Sequence, residues 1–119
     1  GGSQLQDAYL KQFKKGILEI VVLKLLESRE QYGYELISAL NEKSRFLEVR
    51  EGTLYPLLYR LEDEKLIDTR LQQAPARGVT KKFYAITPKG RQVLAEVSET
   101  WFAFSAEVGA ILKGNGEQP

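Results

Sequence analysis

The residues best equipped for chemistry in this chain are basic. Arg70, Arg77, Lys81, Lys82, Lys89 and Arg91 follow one another with no intervening Asp or Glu. That stretch carries +6 in a chain of net charge +1, which leaves −5 for the remainder. A basic ribbon on a mildly acidic body is a directed field of the kind that attracts phosphate. A solvated surface ribbon would have the same composition, and lysines on a sheet edge also protect against strand pairing. Charge alone leaves these readings open. A second group is Thr53, Tyr55, Tyr59 and Arg60. Tyr55 and Tyr59 stand four apart, so a helix projects them together, and their hydroxyls beside a guanidinium can meet phosphates and base edges. A third basic cluster is Lys11, Lys14 and Lys15.

Other chemistries find little support. The sequence has no cysteine, which excludes disulfides and thiolate metal sites, and no histidine, the commonest general base. No paired carboxylates flank a pocket, and neither a metal-ligand cluster nor a nucleotide-binding glycine loop is evident. Glu62, Asp63 and Glu64 are consecutive on a helix and point in different directions, as a solvated helix end does. The chain reads as a non-enzyme without cofactor or metal. No apolar run approaches the ~20 residues of a membrane span, and no signal-peptide pattern opens the chain. The expected location is the cytoplasm.

The elements that must carry these residues follow from periodicity. Residues 5–26 read as helix, with Leu10, Phe13, Ile17, Ile20 and Val21 at spacings of three and four and a break possible at Gly16. Ser28 to Gln31 reads as a connection. A second helix is predicted over 34–43 on Leu36, Ile37 and Leu40. A third covers 53–64 on Leu54, Leu57, Leu58 and Leu61, with Thr53 as N-cap and Pro56 in the first turn. Leu66 to Leu71 and Val79 to Thr87 read as strands around a turn at 74–78, where Gly78 permits a tight tip. Thr87-Pro88 opens a last helix to Leu112. Along it Leu94, Val97, Trp101, Phe104, Val108 and Ile111 recur at 3, 4, 3, 4, 3, a heptad seam suited to a second copy of the chain.

The implied fold is mainly α with a small β-hairpin: a winged helix-turn-helix domain over 4–87, a dimerisation helix over 88–113, and a flexible tail at 114–119. Gly1-Gly2-Ser3 reads as an expression scar. Such a fold sets its third helix in the major groove of duplex DNA and its hairpin along the backbone or minor groove. Lys14, Lys15, Arg77, Lys81 and Lys82 would then anchor phosphates, with Gly78 at the hairpin tip, while Thr53, Tyr55, Tyr59 and Arg60 face the groove.

Three motifs sharpen this reading. Tyr32-Gly33-Tyr34-Glu35-Leu36-Ile37, Glu51-Gly52-Thr53-Leu54-Tyr55-Pro56-Leu57-Leu58-Tyr59-Arg60-Leu61-Glu62, and Lys81-Lys82-Phe83-Tyr84-Ala85-Ile86-Thr87-Pro88-Lys89-Gly90-Arg91 resemble, in order, the second helix, recognition helix and wing exit of the PadR family. Lys15-Gly16-Ile17-Leu18-Glu19 is similar to its first helix. The resemblance implies a dimeric winged-helix repressor on a partly palindromic operator, of the short-tailed subgroup with one C-terminal helix. It also implies a small planar aromatic ligand between subunits. Trp101, eleven positions after Gly90, matches the tryptophan of multidrug-binding members, whose paired indoles flank flat ligands. Ile17, Val21 and Ser105 would be its neighbours. Phe102 and Phe104 are bulkier than in those members, and Ser105 is not acidic, which removes a basis for preferring cations. Trp101 also sits on the seam, where it can simply fill a dimer core. A winged-helix module for a protein partner, and a DNA binder without effector, are the alternatives.

Overall fold

A computed structural model describes residues 4–74 and 79–114, and the side chains of all of these but 74, 79 and 80. Five helices and three strands follow in order: α1 (Gln4–Lys14), α2 (Ile17–Ser28), β1 (Gln31–Tyr32), α3 (Gly33–Lys43), a 3₁₀ turn (Arg45–Leu47), α4 (Glu51–Asp63), β2 (Ile67–Ala74), β3 (Val79–Ile86) and α5 (Pro88–Lys113).

The first predicted helix is two. Gly16 adopts φ 88°, a left-handed conformation that L side chains rarely take, and this ends α1 and redirects the chain into α2. The break also changes which face is buried. Leu18, Val22, Leu23 and Leu26 enter the core, whereas Ile17, Ile20 and Val21, expected on the apolar stripe, are only partly covered. A stripe read straight through Gly16 inherits the wrong helical phase.

The core joins α2 to Leu36 and Leu40 of α3, Leu54, Leu57, Leu58 and Leu61 of α4, Ile67 of β2, Tyr84 of β3 and Leu94 of α5. The predicted connection 28–31 ends in a short strand. Gln31 pairs with Tyr84 and Tyr32 with Phe83, so the hairpin becomes a three-stranded antiparallel sheet in the order β1-β3-β2. The register of the hairpin runs from Ile67 opposite Ile86 to Ala74 opposite Val79, longer than the strand expected over 66–71.

α4 starts two residues before the predicted cap. The Arg50 carbonyl accepts hydrogen bonds from the amides of Thr53 (3.0 Å) and Leu54 (3.0 Å), which makes Arg50 the N-cap residue and places Thr53 inside the first turn. Pro56 therefore lies within the helix, on an exposed face where water can serve the carbonyl that its missing amide leaves free. The start of α5 is as expected. Thr87 Oγ accepts from the Gly90 amide at 2.9 Å and donates to the Lys65 carbonyl at 2.8 Å, with Pro88 in the first turn. Gly90 allows close packing there: a Cβ would run into the Leu66 carbonyl oxygen.

α5 has 26 residues, of which Gly90 and Leu94 are buried. It extends well past the body, and the chain measures 68 × 34 × 21 Å. The radius of gyration is 17.2 Å, against the roughly 13–14 Å expected of a compact chain this long.

Candidate nucleic-acid interface

α3 and α4 form the helix-turn-helix pair, joined through the 3₁₀ turn and Val49, whose amide donates to Asn41 Oδ1 at 3.1 Å. The sheet packs beside α4 and supplies the wing. At the entry to α3 the Tyr32 amide donates to Glu35 Oε1 at 3.1 Å, which places exposed Tyr34 at the start of that helix.

The outer face of α4 differs from the expected one. Thr53 is exposed and Tyr59 is 74% exposed, so both are available. Tyr55 is exposed as well, but its hydroxyl is engaged within the chain. It is 40% exposed, and its hydroxyl lies over Gly33 of α3, where a Cβ would collide with it. Its hydroxyl end also bears on Tyr84, whose phenol is raised above its ordinary pKa first by burial, then by Tyr55 and Glu62. Tyr55 therefore joins α4 to α3 and the sheet while staying 40% exposed. Arg60 is tied to Glu19 of α2 at 2.7 Å, which turns it away from Tyr59.

Much of the basic ribbon is occupied within the chain. Arg70 grips the Glu30 carboxylate through Nε (2.9 and 3.0 Å) and through Nη2, which holds the Glu30 carboxyl below its usual range. Lys82 lies 3.9 Å from Glu62. Lys89 and Arg91 donate to the carbonyls of Glu64 (3.1 Å) and Glu27 (3.4 Å). Lys81 stands over the Tyr32 ring at 4.3 Å in a cation–π contact that leaves its charge unneutralised. Arg77 and Gly78, at the expected hairpin tip, lie outside the described residues.

A second basic surface lies across α4 from the sheet. Lys14 Nζ reaches the Glu48 carbonyl at 3.0 Å and ties the end of α1 to the segment before α4, with Lys15 exposed alongside. Between them is a groove of about 940 Å³ to which Lys11, Arg45 and Arg50 also contribute. Arg45 and Arg50 were overlooked in the sequence because both fall in a short link; their position just before the recognition helix was the available signal.

Residues 22–96 match the family model described as the transcriptional regulator PadR-like family. The chain belongs to the PadR-like transcriptional regulators. A PadR family regulator from Eggerthella lenta is 29% identical, with a TM-score of 0.82 over 93% of this chain and 95% of that one. A PadR-like regulator from Bacillus cereus is 39% identical, with a TM-score of 0.75 over 87% and 99%. A transcriptional regulator of Mycobacterium tuberculosis is 30% identical over 73% of this chain and 78% of its own. Another, from Escherichia coli, is 33% identical, and the match spans 40% of its length. This PadR-like chain is thus a DNA-binding regulator with a winged-helix fold and not an enzyme. Among the described residues no helix is long and apolar enough to cross a membrane.

The α5 residues assigned to a seam divide in two. Leu94 is 4% exposed and belongs to the chain's own core, not to the open row. Val97, Trp101, Phe104, Val108 and Ile111 remain open, with Trp101 38% and Phe104 61% exposed. The Trp101 and Phe104 rings lie 6.3 Å apart, and Ser105 Oγ donates weakly to the Phe102 carbonyl at 3.4 Å. Neither the 940 Å³ groove nor a smaller one beside Tyr34 is lined by Trp101, Ile17, Val21 or Ser105.

Proposed function

We propose that this PadR-like regulator is a cytoplasmic homodimeric repressor whose grip on its operator is adjusted by a small planar aromatic ligand between the subunits. The observation that carries the reading is the open apolar row Val97, Trp101, Phe104, Val108 and Ile111 on a helix that leaves the body. Burying apolar surface is the main favourable term in association, and a row at heptad spacing fits a second helix. Pairing through α5 sets two recognition helices against half-sites about one helical turn, roughly 34 Å, apart. Thr53 and Tyr59 meet base edges or shape, and Lys14, Lys15, Lys81 and Lys82 hold phosphates. Arg77 and Gly78, outside the described residues, are assigned the same role from the sequence. Tyr55 and Arg60 act from behind, by fixing α4 against α3 and α2.

The effector's place is beside Trp101. Two symmetry-related indoles would offer flat faces to a flat ligand, with Ile17, Val21 and Ser105 at the rim. Such a ligand shifts DNA binding only by preferring one spacing of the two wings over another.

The test combines mass and binding. Sedimentation should give twice the chain mass. Fluorescence anisotropy should show tight binding to DNA from upstream of the protein's own gene, and not to a scrambled duplex. Trp101 is the chain's single tryptophan, so its fluorescence reports titration with a flat phenolic acid or a polycyclic dye. Ligand-dependent release that persists in Trp101→Ala would move the effector elsewhere, and a monomer that binds DNA fully would remove the dimer from the mechanism.

A further inference from the structure

The groove beyond α4 has a use that the recognition helix and wing do not supply. Six basic side chains line it, Lys11, Lys14, Lys15, Arg45, Arg50 and Arg60, against the acids Asp7 and Glu48. Arg60 is committed to Glu19, whereas Lys14 bonds a neutral carbonyl and keeps its charge unpaired. Lys11, Lys15, Arg45 and Arg50 are exposed and enter no ion pair among the described residues. The floor is apolar, made by Leu10, Leu18, Val49 and Leu57. Low-dielectric walls of this kind concentrate the field of the cations above them.

Helical geometry places the groove. At 100° per residue, Thr53, Leu57 and Arg60, which line it, share one side of α4, while Tyr55 and Glu62, which meet α3 and the sheet, share the opposite side. Lys82 of the sheet therefore flanks α4 on one side, and the groove flanks it on the other. The groove begins at exposed Thr53, and its volume is many times that of a single phosphate group.

We propose that this groove holds the sugar-phosphate backbone of duplex DNA flanking the bases that α4 reads, so that the backbone is gripped on both sides of the recognition helix. Lys11, Arg45 and Arg50 are its contacts, joined by Lys14 and Lys15. The inference rests on the DNA-binding reading above and adds to it a longer footprint, set by α1 and the link before α4. The Gly16 turn acquires a role here, because the end of α1 that it follows is tied by Lys14 to the segment before α4.

The test is the salt dependence of DNA binding by the full chain. The triple variant Lys11→Gln, Arg45→Gln, Arg50→Gln is compared with wild type on an operator duplex carrying long flanks and on one trimmed to the half-sites. Each lost phosphate contact lowers the slope of log K against log salt by about 0.9, so the triple variant should be shallower by about 2.7 per bound protomer on the long duplex. On the trimmed duplex the two proteins should agree. Affinity for operator and scrambled sequence should fall by the same factor, because backbone contacts carry no sequence information. The charge-keeping variant Lys11→Arg, Arg45→Lys, Arg50→Lys should retain the wild-type slope, and unchanged thermal midpoints show that the fold is intact. An unchanged slope in the glutamine variant, with wild type binding normally, overturns the groove alone. Wild type failing to bind any duplex overturns the DNA reading and the groove together. Saturable binding of inorganic phosphate or ATP, lost in the glutamine variant while its DNA slope stays put, would assign the groove to a small anion instead.

Discussion

In the body of the protein, from Ile17 to Leu94, each helix hides its apolar stripe within the chain. In α1 and in α5 beyond Leu94 the stripes lie open. α1 has no buried residue, and Leu5, Tyr9 and Phe13 are exposed on it. The spacing of apolar side chains is much the same in both regions, at three and four. What differs is whether a covering surface comes from the same chain. The match to the family runs over 22–96 and ends two positions after Leu94, near that boundary. The unpaired basic groups of the groove come from both regions, Lys11 and Lys14 from α1 and Arg45 and Arg50 from the body. α1 thus carries both kinds of surface, cations on the groove side and an open apolar row, whereas α5 beyond Leu94 leaves an apolar row open.

That contrast can be broken by mutation. The largest effect should come from the body. Leu61 is fully buried in the core, so Leu61→Ala should cost about 3 kcal/mol or more in urea unfolding. Leu112→Ala, on an exposed end of α5, should change the same measurement by less than about 0.5 kcal/mol in a monomer. A large loss at Leu112 that grows with protein concentration would show that a partner covers this end. Next in size is Phe104→Glu. It leaves the core untouched, yet should halve the sedimenting mass and weaken operator binding about 10²-fold, because two linked half-sites become separate events. Unchanged mass would move the interface off this row.

The sequence disclosed the body well because its signals are local. Leu54, Leu57, Leu58 and Leu61 mark a buried stripe, Thr87-Pro88 marks a helix start, and Val79 to Thr87 reads as a strand by composition alone. It disclosed less where geometry intervenes. The turn at Gly16 reset the phase of α2, so Ile17, Ile20 and Val21 looked more buried than they are. β1 has two residues, too few for any periodicity. Leu94 fits the heptad of the open seam, yet the fold of the chain carries it into the core. For the site, the basic residues were visible as a run, but their internal partners were not: Arg70 meets Glu30 forty positions away, and Arg60 meets Glu19 at a separation of 41.

Two glycines sharpen the comparison at smaller scale. Gly90 packs against the Leu66 backbone, which cannot yield as a side chain could, so Gly90→Ala should cost about 2 kcal/mol in thermal or urea unfolding. Gly109 sits on the open part of α5 with nothing of its own chain within 4 Å of an added Cβ. There Gly109→Ala should gain up to about 1 kcal/mol of helix stability. If it instead weakens self-association, a partner helix approaches closest at Gly109, and the seam is centred nearer the end of α5 than Trp101 is.

The smallest effect concerns pH. With no histidine, no side chain has an ordinary pKa between those of the carboxylates and the tyrosines, apart from the chain's amino terminus. The shifts that occur lie outside that window and belong to the body. Glu30 is held low by Arg70 and Glu27 by Lys24, so each folded carboxyl gives up its charge at a lower pH than its unfolded counterpart. Their support is complete above about pH 4.5, the unfolded value, and is lost as pH falls through the lower folded values. Tyr84 runs the other way. Burial raises its phenol, so its contribution is complete below about pH 10 and is lost as pH rises through the higher folded value. The urea midpoint should therefore be flat between about pH 6 and 9, fall on both sides, and lose part of its acid limb in Glu30→Gln. The Glu30 pair is exposed, so 1 M salt should shrink that part further. A midpoint that moves between pH 6 and 8 in the wild type, and still moves when the amino terminus is acetylated, would mean that a carboxylate or lysine is strongly perturbed by a surface absent from the single chain. The contrast between closed body and open extensions would then extend to charge as well as to apolar contact.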